Sequence, residues 1–126
     1  MMPFTCPKCS TRSALRITGS LELPSDARSD EITLQIVACE QCGFAGIAVY
    51  EESRRGSLDS DSFDHTGYRV SARDLAALRK AISQCPQPGN PRCSCAAHRR
   101  YGRRNAAARW SGLEDVPLGQ RFRMVL

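Results

Sequence analysis

The chain has 126 residues and a formal net charge of +5, a length that allows one domain, or one small domain with an appendage. Its longest apolar stretch, residues 44–50, is far too short to cross a bilayer. No basic stretch followed by an apolar run marks a signal peptide, and we therefore expect a cytoplasmic location.

The charge is distributed unevenly along the chain. Residues 1–66 contain 6 Lys or Arg and 10 Asp or Glu, which gives a net charge of −4. Residues 67–126 contain 12 Lys or Arg and 3 Asp or Glu, which gives a net charge of +9. A basic C-terminal half can attract phosphate backbones, acidic proteins or acidic lipid surfaces.

Two Cys-x-x-Cys sequences are the first motif in chain order: Cys6 with Cys9, and Cys39 with Cys42. Two intervening residues let both thiolates of a tight turn reach one ion, and two such turns supply the four ligands of a closed tetrahedral zinc site. This paired spacing favours metal binding in a reducing compartment over disulfides. The four cysteines are therefore predicted to hold a structural Zn²⁺ ion.

Three strands are predicted around these turns. Residues 14–18 alternate weakly, residues 32–36 alternate cleanly and lead into Cys39, and residues 44–50 form an apolar third strand. A polar tip with a turn at residues 24–26 separates the first two strands. Residues 1–52 are thus predicted to form an antiparallel zinc ribbon.

The ribbon segment also resembles a known family. The motifs that carry the resemblance are Cys6-Pro7-x-Cys9 and, after a long hairpin containing Glu31-Ile32, Cys39-Glu40-x-Cys42-Gly43-Phe44. They resemble Cys₄ zinc ribbons, in particular the long-hairpin ribbons of the ZPR1-type zinc-finger proteins, which bind a translation elongation factor. The resemblance covers residues 4–50; it implies the fold and the metal, and it suggests an elongation factor as one candidate partner. Ser10 stands where the first turn of such ribbons usually has Gly, and residues 53–126 match no family pattern.

A polar linker is predicted at residues 53–69, followed by two short helices. Ser71 is a good N-cap and Asp74 can complete a capping box, so the first helix is predicted to begin there. It should end near Ser83, because the proline-rich residues 85–91 cannot continue a helix. A second short helix is predicted from Ser94 to Gly102. The tail, residues 122–126, is predicted either as a strand that closes the sheet or as a disordered end.

A second group of potential metal ligands lies between and within these helices. Cys85, Cys93, Cys95 and His98 are a plausible Cys₃His set for a second Zn²⁺ ion. Two alternatives remain: the cysteines can serve as small buried apolar residues, and His98 can be an ordinary exposed polar residue. His65 is the only other histidine, and therefore the only substitute imidazole.

The C-terminal segment, residues 70–126, combines this cluster with arginines and aromatics. Arginines can contact phosphates while an aromatic ring stacks on a base. The residues predicted to bind nucleic acid or another partner are Arg99, Arg100, Tyr101, Arg103, Arg104, Arg109 and Trp110.

The sequence thus predicts a small α+β fold, with a zinc ribbon followed by one or two short helices and a second metal cluster. The favoured function is a non-catalytic zinc-finger module that recognises nucleic acid or a ribonucleoprotein. The alternative is a protein-interaction module, such as an adaptor or a subunit of a larger assembly, with an acidic protein as one candidate partner for the basic tail. It also accounts for the acidic hairpin tip, which would repel nucleic acid and contains Glu22, Asp26, Asp30 and Glu31. A thiol-redox protein with a reactive thiol at Cys85, Cys93 or Cys95, or an enzyme using His65 beside Asp64 as a base, is the third hypothesis. Four protein ligands leave zinc no open position for catalysis, so an enzyme is not expected.

Overall fold

A computed structural model describes residues 3–54 and 62–126 of the chain. Within these residues the fold is a small α+β arrangement of a five-stranded antiparallel sheet and two short helices, and the predicted fold class is confirmed at that level. The strands are β1 Leu15–Leu23, β2 Glu31–Cys39, β3 Ala45–Ser53, β4 Ser62–Tyr68 and β5 Arg121–Arg123, and the helices are α1 Ala72–Gln84 and α2 Ala96–Tyr101.

The five strands lie side by side in chain order. β1 and β2 form a hairpin in which Leu15 lies opposite Cys39 and Leu23 lies opposite Ile32. This register brings the turn before β1 next to the turn after β2. β5, at the start of the C-terminal tail, pairs with the end of β4, so the prediction of a strand that closes the sheet is confirmed for residues 122 and 123 of the tail.

The predicted polar linker at residues 53–69 is wrong over residues 62–68, because they form β4, which pairs with β3 along its whole length. Polar residues occupy this strand without breaking it. The Nε2 atom of His65 lies 2.6 Å from the Oε1 atom of Gln35 on β2, and the His65 ring packs edge-on against Phe4 and Tyr50. Residues 55–61 of the predicted linker lie outside the described residues.

One apolar core joins the sheet to the C-terminal half. Alternate residues of β2, including Leu34, point to the same face of the sheet as Ile47 on β3, and α1 packs on this face through Leu75 and Leu78. α1 begins as predicted: the Ser71 hydroxyl accepts a hydrogen bond from the amide of Asp74 and donates one to its carboxylate. The helix ends at Gln84, one residue beyond the predicted end.

A second, smaller apolar cluster surrounds the two Cys-x-x-Cys turns. Phe4, Leu15, Val37 and Phe44 are buried in it together with Cys6 and Cys39. The turns are therefore held against a packed end of the sheet and are not free loops.

Asp26 links the tip of the β1–β2 hairpin to the C-terminal half, and the sequence suggested only a turn there. Its side chain is fully buried. One carboxylate oxygen accepts hydrogen bonds from the amides of Arg28 (2.8 Å) and Ser29 (2.7 Å). The other accepts from the Arg109 guanidinium (2.5 Å) and the Trp110 amide (2.7 Å). Burial opposes ionisation, but these amides and the guanidinium together hold the pKa of Asp26 below its usual value.

Replacing Asp26 with Asn is expected to lower the free energy of unfolding by about 3–5 kcal/mol. Arg109 loses its buried charged partner, and the amide nitrogen of Asn cannot accept the two hydrogen bonds that the carboxylate oxygen in its place accepts. Urea denaturation at neutral pH measures the loss. Since the folded pKa of Asp26 is depressed, its contribution is complete above the unfolded value of about 3.9 and disappears as the pH falls through the folded value. The difference in the free energy of unfolding between the parent protein and Asp26→Asn should therefore disappear in acid.

The matched control is Asp115→Asn, which removes the same charge from an exposed ion pair with Arg103. This change is expected to cost at most about 1 kcal/mol. Equal losses in the two variants, or a gap for Asp26→Asn that is independent of pH, would contradict the role of Asp26.

Candidate metal centres

The first cluster contains the four cysteines of the two Cys-x-x-Cys turns. Their Sγ atoms all lie within 4.8 Å of one another. The distance is 3.6 Å between Cys6 and Cys42 and 3.7 Å between Cys9 and Cys39. A tetrahedral ion with metal–sulfur bonds of about 2.3 Å needs sulfur atoms about 3.8 Å apart. The four thiols are therefore already spaced to hold one metal ion.

The two turns repeat the same local structure. In the first, the amides of Lys8 and Cys9 point at the Cys6 sulfur, at 3.4 and 3.5 Å; in the second, the amides of residues 41 and 42 point at the Cys39 sulfur, at 3.3 and 3.5 Å. Amides aimed at sulfur stabilise a thiolate.

Each turn is followed by a residue in the left-handed backbone region. Gly43 has a φ of 76° directly after the second turn, and Ser10 has a φ of 63° at the equivalent place after the first. Glycine adopts this conformation freely, whereas a residue with a Cβ adopts it at some cost. The second turn is therefore relaxed where the first is slightly strained.

The second cluster contains Cys85, Cys93, Cys95 and His98, the set predicted from their spacing. Their ligand atoms also lie within 4.8 Å of one another. The Cys85 sulfur is 3.8 Å from that of Cys93, 3.3 Å from that of Cys95 and 3.4 Å from the Nδ1 atom of His98. Cys85 lies at the C-terminal end of α1 and Cys95 is the N-cap of α2, so the cluster joins the two helices. This arrangement can hold a second metal ion.

The imidazole of His98 is oriented by the hairpin. Its Nε2 atom lies 2.9 Å from the backbone carbonyl oxygen of Glu22 on β1. The carbonyl can only accept a hydrogen bond, so Nε2 carries the proton and Nδ1 presents its lone pair to the three sulfurs. The amide of Glu22 in turn donates to the carbonyl of Pro88, at 2.8 Å. The second cluster is therefore attached to β1 at this residue.

The two clusters use all seven cysteines of the chain. His98 is the eighth ligand and explains the odd cysteine number. It is buried, so the alternative of an exposed polar histidine is excluded. His65 lies on β4 beside Gln35, outside both clusters, and burial lowers its pKa despite the nearby Asp64.

The thiols differ in acidity in the absence of metal. Burial alone would raise the pKa of Cys95, but hydrogen bonds from His98 and the neighbouring thiols lower it to about 6, whereas burial raises the pKa of Cys85 to about 11. In the first cluster the side chain and amide of Thr11 lower the pKa of Cys9 to about 6. Despite a backbone hydrogen bond from Phe44, burial and the neighbouring thiols raise the pKa of Cys42 to about 11. Each metal-free cluster is thus partly protonated at neutral pH, so metal binding releases protons and weakens in acid.

The predicted partner-binding residues are not equally exposed. Tyr101 is a correction: its side chain is only 2% exposed and belongs to the apolar core, so its ring cannot stack on a base. Trp110 is half-buried against the same core, and its indole N–H donates to the carbonyl of Tyr101 at 2.6 Å.

The arginines divide into two groups. Arg103 pairs with Asp115 at 2.8 Å, and Arg109 pairs with Asp26 and with Glu51. Arg99, Arg100 and Arg104 are exposed, with the guanidinium of Arg100 lying over the Tyr101 ring, 5.0 Å from its centre. The first group is therefore engaged in ion pairs within the fold, and the second group remains available to a partner.

A groove of about 260 Å³ separates α1 from α2 beside the second cluster. Its lining includes the cations Lys80 and Arg100, four alanines, and Cys85 and Cys95 of the second cluster. Sequence reasoning missed this groove and the contribution of Lys80, because the spacing of α1 and α2 depends on the cluster that joins them.

Among residues 3–54 and 62–126, no helix combines the length and the apolar character that a bilayer span requires. No protein-family model, curated protein or solved structure matches the chain.

Proposed function

We propose that the protein is a non-catalytic module that binds two structural Zn²⁺ ions and recognises nucleic acid through its basic C-terminal half. The observation that carries the proposal is the convergence of two complete four-ligand sets, Cys₄ and Cys₃His. Thiolate and imidazole ligands at tetrahedral spacing suit zinc. In this proposal the first cluster and its three strands form a Cys₄ zinc ribbon.

The ligand sets support a non-catalytic module over an enzyme. Four protein ligands leave a zinc ion no position for substrate or water. All three cysteines proposed for thiol-redox chemistry belong to the second cluster, where a bound metal would occupy their sulfur atoms. Both features support a structural role for the metal.

Nucleic-acid recognition is supported by the cations around the α1–α2 groove. Lys80 and Arg100 line the groove, and Arg99 and Arg104 are exposed on or just after α2. A metal ion in the second cluster would hold the N-terminus of α2 in place, so these cations would be presented to phosphates on a fixed surface. With Tyr101 buried, binding would rest on phosphate contacts more than on base stacking.

Charge reversal at Arg99, Arg100 and Arg104, each to Glu, is expected to weaken binding to a fluorescein-labelled single-stranded RNA at least about tenfold. If each arginine contacts one phosphate, the slope of log affinity against log salt also falls by about 2 in magnitude. Fluorescence anisotropy at several salt concentrations measures both quantities, and the same titration with DNA compares the two nucleic acids.

The matched control is the triple variant Arg12→Glu, Arg28→Glu and Arg121→Glu. It makes the same change in net charge at exposed positions on other parts of the fold. Equal weakening by the two triple variants would mean that binding follows net charge alone, and undiminished binding by the first would overturn the proposed surface.

The adaptor alternative draws less support from the acidic hairpin tip than the sequence suggested. Asp26 is buried in an internal network, and Glu31 pairs with Arg54 at 3.1 Å. Protein recognition at the hairpin tip remains a prediction.

A further inference from the structure

A pocket of about 280 Å³ lies between the sheet and the segment 110–118, away from both metal clusters. β3 and β4 supply one wall through residues that alternate onto the helix-bearing face, among them Val49, Glu51 and Tyr68. The opposite wall carries Trp110, Leu113 and Glu114. The volume is at the lower end of the range for ligand sites, which fits a single side chain.

The charge of this pocket is opposite to that of the chain as a whole. Glu51, Asp64 and Glu114 line it, and no Lys or Arg does so among the described residues, although the chain carries +5. Glu51 already accepts a hydrogen bond from Ser29 and pairs with Arg109 at 3.5 Å. The side chains of Asp64 and Glu114 are exposed and form no hydrogen bond or ion pair within the part of the chain that the structure describes.

Two aromatic rings and a hydroxyl in the pocket add to the carboxylates and favour a flat, cationic ligand. The Trp110 ring is held in place by its hydrogen bond to the Tyr101 carbonyl, and Tyr68 supplies a second ring. The hydroxyl of Ser111, which also lines the pocket, is buried and has no hydrogen-bond partner among the described residues. A fixed aromatic surface, an unused hydroxyl and two unpaired carboxylates occur together here.

We propose that this pocket binds an arginine side chain of a partner protein. A guanidinium is planar and weakly hydrated, so it can lie on an indole face while its N–H groups pair with carboxylates and a hydroxyl. A lysine ammonium has no flat surface and holds its water more strongly. Arg121 and Arg123 lie beside Asp64 at one edge of the site, so a partner with a single arginine in a non-basic segment fits better than a run of basic residues.

The only tryptophan of the chain reports directly on this site. N-acetyl-arginine amide, titrated into the ¹⁵N-labelled, zinc-loaded protein, is expected to move the Trp110 indole N–H signal saturably, with a Kd on the order of 1 mM, as befits one small side chain. N-acetyl-citrulline amide, which has nearly the same shape and no charge, is expected to bind at least about tenfold more weakly. N-acetyl-lysine amide should bind with an affinity between those of the other two compounds. A citrulline compound that binds as well as the arginine compound, or an indole signal without saturable shift, would overturn the proposal.

The double variant Asp64→Asn and Glu114→Gln should weaken arginine binding by about tenfold or more. The matched control, Glu31→Gln with Glu40→Gln, removes the same two charges from exposed ion pairs outside the pocket and should leave the Kd within about twofold, since distant exposed charges are screened. Equal weakening by the two double variants would reject the site. No nucleic acid is present in this titration, so its result is independent of the proposed nucleic-acid function.

Discussion

Replacing Cys39 with Ser is expected to reduce the bound zinc from two ions to one and to abolish cooperative unfolding of the sheet. Cys39 ends β2, and its sulfur faces that of Cys9 across the first cluster. A structural zinc site is worth on the order of 10 kcal/mol, which is comparable to the whole stability of a domain of this size. Native mass spectrometry gives the zinc content, and thermal melts followed by circular dichroism give the stability.

Ser10→Gly is the matched control for this prediction, because it changes the first turn without removing a ligand. Ser10 has a φ of 63°, a conformation that glycine adopts without the Cβ penalty. The control should therefore keep both zinc ions and melt at the same temperature as the parent protein or higher. A Cys39→Ser protein with an unchanged melt would show that the first cluster does not hold the fold together.

Replacing His98 with Ala is expected to release the second zinc ion and to detach α2 from β1, lowering the free energy of unfolding by several kcal/mol. His98 has two separate functions in the structure: Nδ1 faces the sulfurs, and Nε2 bonds to the Glu22 carbonyl. His98→Cys separates them, because a thiolate can replace the imidazole as a ligand but cannot reach the carbonyl.

The His98→Cys protein should retain two zinc ions and lose about 1 kcal/mol, the usual net contribution of one hydrogen bond. Zinc stoichiometry and urea denaturation of the two variants, measured side by side, provide the comparison. If His98→Ala keeps both ions, the second cluster is not a zinc site. If His98→Cys is as unstable as His98→Ala despite full zinc loading, the link to Glu22 outweighs the metal.

The metal clusters could be found from the sequence because ligand spacing is a local property. Two residues between cysteines fix the geometry of a turn, and the density of ligands around Cys95 indicated the second set. The start of α1 was equally local, since Ser71 and Asp74 form its cap within four residues. These features needed no knowledge of the rest of the fold.

The missed features depend on contacts between distant segments. The sequence did not predict β4, because its polar residues form hydrogen bonds with distant strands, as His65 does with Gln35. Asp26 was seen as a turn residue because its partners, Arg109 and Trp110, lie 83 and 84 residues away in sequence. The burial of Tyr101 and the walls of the pocket beside Trp110 likewise follow from how the C-terminal half packs on the sheet.

The order of the strands also sets the order in which this chain can assemble during synthesis. β1 to β4 pair strictly with their neighbours in sequence and are complete by Tyr68, so the first metal site and most of the sheet can form while the C-terminal half is still being made. The second cluster begins at Cys85 and orients its histidine on Glu22, a residue of the strand made first. The N-terminal half can thus act as the template on which the second half folds, and the two clusters become complete in the order in which they are translated.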